Sequence, residues 1–161
     1  MRKDNRGFSL VELIVVVAII GVLMGVLSVS ISAASSAKEK ACASDIDKFI
    51  TMCRTKCLTR AGAPYISISY EEDKIVGNYY ENGEVADTEE LGVSSIEVTY
   101  TTDTGVTAPI KNGEVITLSF NRSTGAQMPN ENGEYITRIT VSGSSIYTIT
   151  LVPETGAHTL S

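Results

Sequence analysis

Residues 7–27 read GFSLVELIVVVAIIGVLMGVL. From Phe8 to Leu27 the run carries one charge, Glu12. At about 1.5 Å per residue, a helix of about 20 apolar residues matches the hydrocarbon thickness of a bilayer. Before it stands MRKDNRG, in which Arg2, Lys3 and Arg6 outweigh Asp4. This basic flank predicts a cytoplasmic N-terminus, with the remainder of the chain outside. A secretory signal is the first competitor, with an apolar core of about 7–15 residues and a small-residue cleavage site. Ser32, Ala33, Ala34 and Ser35 could mimic such a site. The core here is longer, however, and contains an acid for which a signal peptide has no use.

A carboxylate at the centre of a membrane costs roughly 2.5–3.5 kcal/mol, so an intramembrane acid is by default a functional residue with a partner to be named. Glu12 lies near the end of the run, where the cost is lower. Cleavage after Gly7 would expose an amino group on Phe8, one helical turn from Glu12. In a stack of helices, Glu12 of one subunit could meet the Phe8 amine of another and neutralise both charges.

Gly7-Phe8-Ser9-Leu10-Val11-Glu12-Leu13, continued by Ile14 to Leu27, resembles the processing motif of type IV pilins and type II secretion pseudopilins. The resemblance is close over about the first 30 residues and loose beyond. It implies cleavage by prepilin peptidase at Gly7 and Phe8, N-methylation of Phe8, and a role for Glu12 in assembly. The later part of the helix departs from many major pilins: Ser28-Val29-Ser30 holds no proline. Gly21 and Gly25 form a GxxxG pair, a spacing that lets helices approach closely. It also weakens the helix by about 1 kcal/mol per glycine relative to alanine. Packing face, soft spot, or the ordinary glycine content of membrane helices all fit the pair.

One helix is expected from Phe8 to about Arg60, roughly 80 Å long. In its outer half Cys42, Ile46, Phe49, Ile50, Cys53 and Cys57 recur at helical spacing and form one stripe. Ala61-Gly62-Ala63-Pro64 should end the helix. The three cysteines leave at least one thiol unpaired in a monomer. A disulfide between Cys53 and Cys57 would need distorted geometry, and the preferred reading is three small core residues. Many major pilins close a C-terminal loop with two late cysteines, which this chain lacks.

From Pro64 the period changes to two. Ile66–Tyr70, Lys74–Tyr80, Ile96–Tyr100, Val115–Phe120, Tyr135–Val141 and Ile146–Val152 read as strands. Asn82-Gly83, Asn112-Gly113 and Asn132-Gly133 mark turns, and residues 141–146 read as a hairpin. The expected fold class is α+β and pilin-like, with one long N-terminal helix packed on an antiparallel β-sheet. The expected division is a leader at 1–7, a transmembrane and assembly half at 8–30, and an extracytoplasmic domain at 31–161. That domain would hold helix 31–60 and sheet 64–152. Ile116–Gly125 and the closing pair ending Glu154-Thr155-Gly156 are also similar to the minor pseudopilin H family, whose members sit at or near the pilus tip.

Catalytic chemistry finds little support. His158 is the single histidine, and no phosphate loop, nucleophile elbow or CxxC pair occurs. Glu71-Glu72-Asp73 and Glu89-Glu90 read as solvated loop faces. Asp103-Thr104-Gly105 with Asn121, Ser123 and Thr124 offers some oxygens for calcium but no EF-hand pattern. No cofactor or metal is expected, and the chain is not read as an enzyme. A net charge of −6, from 13 basic and 19 acidic residues, disfavours nucleic acid. The expected function is a structural subunit of a type IV pilus or pseudopilus, of minor, tip type. Its partners would be other pilin subunits, prepilin peptidase, an inner-membrane assembly platform with its cytoplasmic ATPase, and the lipid bilayer. The chain would cross the cell membrane once before assembly, then join an extracytoplasmic filament. The alternative is a membrane-anchored or secreted β-rich module that captures DNA, substrate or surface glycan.

Overall fold

A computed structural model describes residues 10–59, 62–111 and 113–161, with the side chains of 26–34 excepted. The chain divides into two compact units, Met1–Ala34 and Ser35–Ser161. One helix, α1 (Leu10–Thr59), runs through both sequence ranges. The expected helix ends, Phe8 and Arg60, lie outside the described residues.

In the first unit, the large apolar side chains from Leu10 to Met24 are exposed all round, Leu10 at 74% and Val22 at 68%. A helix that is apolar on every face has no aqueous side. The described side chains stop at Gly25, short of the roughly 20 apolar residues that a bilayer requires. Among the described residues no helix is long and apolar enough to cross a membrane. The expected transmembrane half, 8–30, begins outside the described residues, and from residue 26 its side chains are not described.

In the second unit the helix buries one stripe. Cys42, Ala43, Ile46, Phe49, Ile50, Cys53 and Cys57 are all at most 2% exposed. This is the stripe expected from the helical spacing, with Ala43 added. Gly62 and Ala63 follow the helix with φ of 108° and 48°, a left-handed exit that prevents its continuation.

The strands are β1 (Tyr65–Glu71), β2 (Lys74–Glu81), β3 (Glu84–Val93), β4 (Glu97–Thr102), β5 (Thr107–Pro109), β6 (Ile116–Ser119), β7 (Ile136–Ser142), β8 (Ile146–Val152) and β9 (Ala157–Leu160). The α+β class is as expected, but the strands divide between two antiparallel sheets rather than one. The first has the order β3-β2-β1-β6 and the second β5-β4-β7-β8-β9. Both sheets contribute to the single apolar cluster that includes the helix stripe. Ile66, Ile68, Ile75, Tyr79 and Leu118 come from the first; Val98, Ile139, Val141, Ile149 and Leu151 come from the second.

Two glycines fix how closely the helix sits on the first sheet. A Cβ on Gly77 would lie 2.6 Å from Cε1 of Phe49, and one on Gly92 would lie 2.7 Å from Sγ of Cys42. Both strands therefore carry glycine where α1 presses on them. The Asn82-Gly83 turn joins β2 to β3 with φ of 56° and 84°, as a two-residue hairpin turn demands. Ser142 and Ile146 pair at the base of the expected β7–β8 hairpin.

Candidate functional site

The candidate assembly segment is the start of α1. Glu12 lies in its first turn, and Gly7 and Phe8 lie outside the described residues. Gly21 and Gly25 follow on the same helix, one turn apart. A Cβ on either would meet nothing within 4 Å. Each glycine thus leaves open space beside the helix into which a neighbouring helix could settle.

Within the Ser35–Ser161 unit, a buried carboxylate joins the helix to the second sheet. Glu39 is 2% exposed. Its Oε1 accepts hydrogen bonds from the Ser144 backbone N–H at 2.6 Å, the Ser144 hydroxyl at 3.0 Å and the Ser35 hydroxyl at 3.2 Å. Its Oε2 accepts from the Ser145 N–H at 2.6 Å. A Cβ on Gly143 would collide with the same carboxylate, so a side chain there would displace it. The sequence gives no warning of this role, because Glu39 stands between Lys38 and Lys40 and reads as part of a solvated face.

Burial pushes the Glu39 carboxyl upward, but the two backbone donors and the serine hydroxyls outweigh it and hold the carboxyl below its ordinary value of 4.5. The fold therefore favours the ionised form. That contribution is fully present above the ordinary value and is lost as pH falls through the lowered folded value. The stability gap between wild type and Glu39→Gln should be constant near neutrality and shrink in acid. Urea midpoints for both chains across a pH series test this, since the two chains share every other titrating group. A gap that persists unchanged in acid would refute it.

The two C-terminal stretches singled out in the sequence meet at Arg54. Its Nε donates to the Gly125 carbonyl at 3.3 Å and its Nη2 to the Thr155 carbonyl at 3.0 Å. Gly125 and Gly156 have φ of 72° and 64°, and a Cβ on Gly156 would overlap the Gly125 carbonyl oxygen. Gly156→Ala should cost about 2–4 kcal/mol, combining overpacking with a strained left-handed alanine. Thermal unfolding of the purified variant would read it, and a cost under about 0.5 kcal/mol would contradict the close loop contact.

The remaining candidates make contacts within the fold. His158 on β9 places Nε2 2.9 Å from the Thr51 hydroxyl and 3.5 Å from Asp47 Oδ1, which ties the last strand to α1. Glu72 and Asp73 form the β1–β2 turn with φ of 45° and 64°. Asp103 Oδ1 accepts the Tyr135 N–H, while Asn121 Oδ1 accepts the Ser123 and Thr124 N–H groups. The Asn121 oxygen caps its own turn, and the Asp103 oxygen ties the end of β4 to the segment before β7. Among the described residues no group of three His, Cys, Asp or Glu side chains is placed to hold a metal ion. Cys42, Cys53 and Cys57 are free and buried. Burial, with Asp45 nearby, pushes the Cys42 thiol up to about 12. Cys53 lies 3.9 Å from Cys57, and their hydrogen bond together with burial holds its thiol high. Raised in this way, the Cys42 and Cys53 thiols are inert packing groups, whereas the hydrogen bond with Cys53 lowers the Cys57 thiol to about 7.

Residues 2–28 match the family model of the prokaryotic N-terminal methylation motif. This motif marks prepilin-type proteins, the type IV pilins and pseudopilins that prepilin peptidase processes. The match covers the basic flank, Gly7, Phe8, Glu12 and the apolar run. No curated protein and no solved structure matches the chain.

Proposed function

We propose that this chain is a structural subunit of a type IV pilus or a pseudopilus, stored in the membrane by its apolar helix and assembled from there. The methylation motif over residues 2–28, in register with an all-round apolar helix that carries Glu12 in its first turn, supports this reading most directly. Prepilin peptidase would cut after Gly7, and the new N-terminal Phe8 would be methylated. In the filament, neighbouring helices would replace lipid around residues 8–30. Glu12 would pair with the Phe8 amine of another subunit and select the register. The open flanks of Gly21 and Gly25 would admit a neighbouring helix. The missing late cysteines and the likeness of residues 116–125 and 154–156 to minor pseudopilins favour a minor subunit near the tip. No residue is assigned a catalytic role in this reading.

Intact mass and N-terminal peptide mapping of the chain purified from its native membranes test the proposal. The expected product begins at N-methylated Phe8. A product that retains Met1 would mean plain anchoring, and one that begins near Ser35 would mean secretion. Either would overturn the assembly reading.

A further inference from the structure

The face of the first sheet that turns away from the core is covered at its centre and open toward β6. In β1 four consecutive residues, Ile66 to Ser69, are buried. A strand with one solvated face would alternate. Ile66 and Ile68 point into the core, so Ser67 and Ser69 are covered from the opposite side; they are 7% and 8% exposed. They form the floor of a cleft of about 1080 Å³, whose rim includes Glu71, Arg122, Met128 and Glu131.

Strand register arranges this floor in two rows. Asn78, Ser67 and Thr117 lie side by side across β2, β1 and β6, and Tyr80, Tyr65 and Ser119 form the adjacent row. The Tyr65 and Tyr80 rings stack with centroids 4.4 Å apart and planes 5° apart. The stacked pair, with one face of each ring left uncovered by the other, thus borders a row of neutral hydroxyl and amide groups, in which Asn78 accepts from the Thr88 hydroxyl at 2.7 Å and Ser69 beside it donates to Glu71 at 2.8 Å.

We propose that this cleft binds a neutral oligosaccharide. A sugar ring offers an apolar C–H face, which suits an aromatic platform, and a rim of hydroxyls that both donate and accept. Serine, threonine and asparagine side chains match that double role, and each can donate as well as accept. The volume stands just above the range of about 300–1000 Å³ for ligand sites, which leaves room for more than one ring. Other ligand classes fit less well. β1, at the centre of the floor, is paired on both sides, by β2 and β6, and presents side chains alone; β6 is the edge of the sheet, and strand addition of a peptide there is the outcome that the test below separates from sugar binding. Two acids against one arginine at the rim, in a chain of net charge −6, repel a polyanion. Every residue of the cleft lies within Ser35–Ser161, so the inference stands apart from the assembly reading.

The test uses the full chain in a zwitterionic detergent without a sugar headgroup, titrated with cellotetraose, chitotetraose and maltotetraose by calorimetry. Tyrosine fluorescence provides a second signal in a chain without tryptophan. Saturable binding of at least one of the three sugars is expected. Tyr80→Ala and Ser67→Val should each weaken it by about tenfold or more. Thr117 is exposed, so Thr117→Val keeps the fold and should also weaken binding if Tyr80→Ala proves unstable. No saturable binding to any of the three would overturn the proposal. So would affinity unchanged in the variants, or saturable binding of an oligonucleotide or an extended peptide in place of sugar.

Discussion

Replacing Phe49 with alanine is expected to destabilise the Ser35–Ser161 unit by about 3–5 kcal/mol, the usual cost of removing a buried aromatic ring. Phe49 is 2% exposed at the middle of the helix stripe. Its ring fills the space that a side chain on Gly77 would otherwise occupy. The strand has no side chain there to move into the vacated volume, so the site cannot collapse easily and the cost should fall toward the upper end. The same geometry predicts a coupling. Gly77→Ala alone must push the Phe49 ring aside and should destabilise. In a chain that already carries Phe49→Ala, the added methyl enters open space and should cost less. Urea unfolding of wild type, both single variants and the double variant closes the cycle. A loss under about 1 kcal/mol for Phe49→Ala, or strictly additive effects, would mean that helix and sheet are not packed as described.

The helix stripe was legible because burial on one face imposes a period that composition cannot hide. Cys42, Ile46, Phe49, Ile50, Cys53 and Cys57 recur at three and four residues, and all six are buried. The central strands were legible for the same reason at period two. The strands that were missed bury little. β3 reads EVADTEELGV, and its first seven residues are exposed. An edge strand needs only its backbone to pair, and acidic side chains there discourage pairing with another chain. β5 and β9 are three and four residues long and mostly exposed, too short for any period to emerge. The division into two sheets was hidden because local alternation says which face is buried and not which strand lies alongside. The Glu39 and Arg54 contacts were illegible for a related reason. Each charged residue sits among other charged or polar residues on the helix, and only the distant loops that close on it, 143–145 and 125 with 155, give it a role. The N-terminal motif is the opposite case. Its meaning lies in the order of a basic flank, glycine, phenylalanine, acid and apolar run, which a linear reading captures whole.

Replacing Glu12 with alanine is expected to leave processing and membrane insertion intact and to reduce incorporation into filaments by about a hundredfold. The argument rests on what the change does to a neighbour. Glu12→Ala makes the helix more apolar, so a chain anchored singly in lipid gains stability in the bilayer. In an assembled bundle, the Phe8 amine of the adjacent subunit would lose the group that neutralises it. A buried ion left without its partner costs about 3 kcal/mol or more, and about 1.4 kcal/mol corresponds to each factor of ten. The variant should therefore accumulate in the membrane as mature chain beginning at Phe8 and be depleted from the sheared filament fraction. Quantitative mass spectrometry of both fractions separates the two effects. Equal incorporation of variant and wild type would remove Glu12 from assembly and leave the acid as a residue that merely reaches the headgroups. Loss of processing would place its role at the peptidase instead. Glu12→Gln sharpens the comparison, because it keeps the shape and an acceptor oxygen but not the charge. If pairing of charges selects the register, Glu12→Gln should resemble alanine in the filament fraction, whereas a steric role would leave it close to wild type.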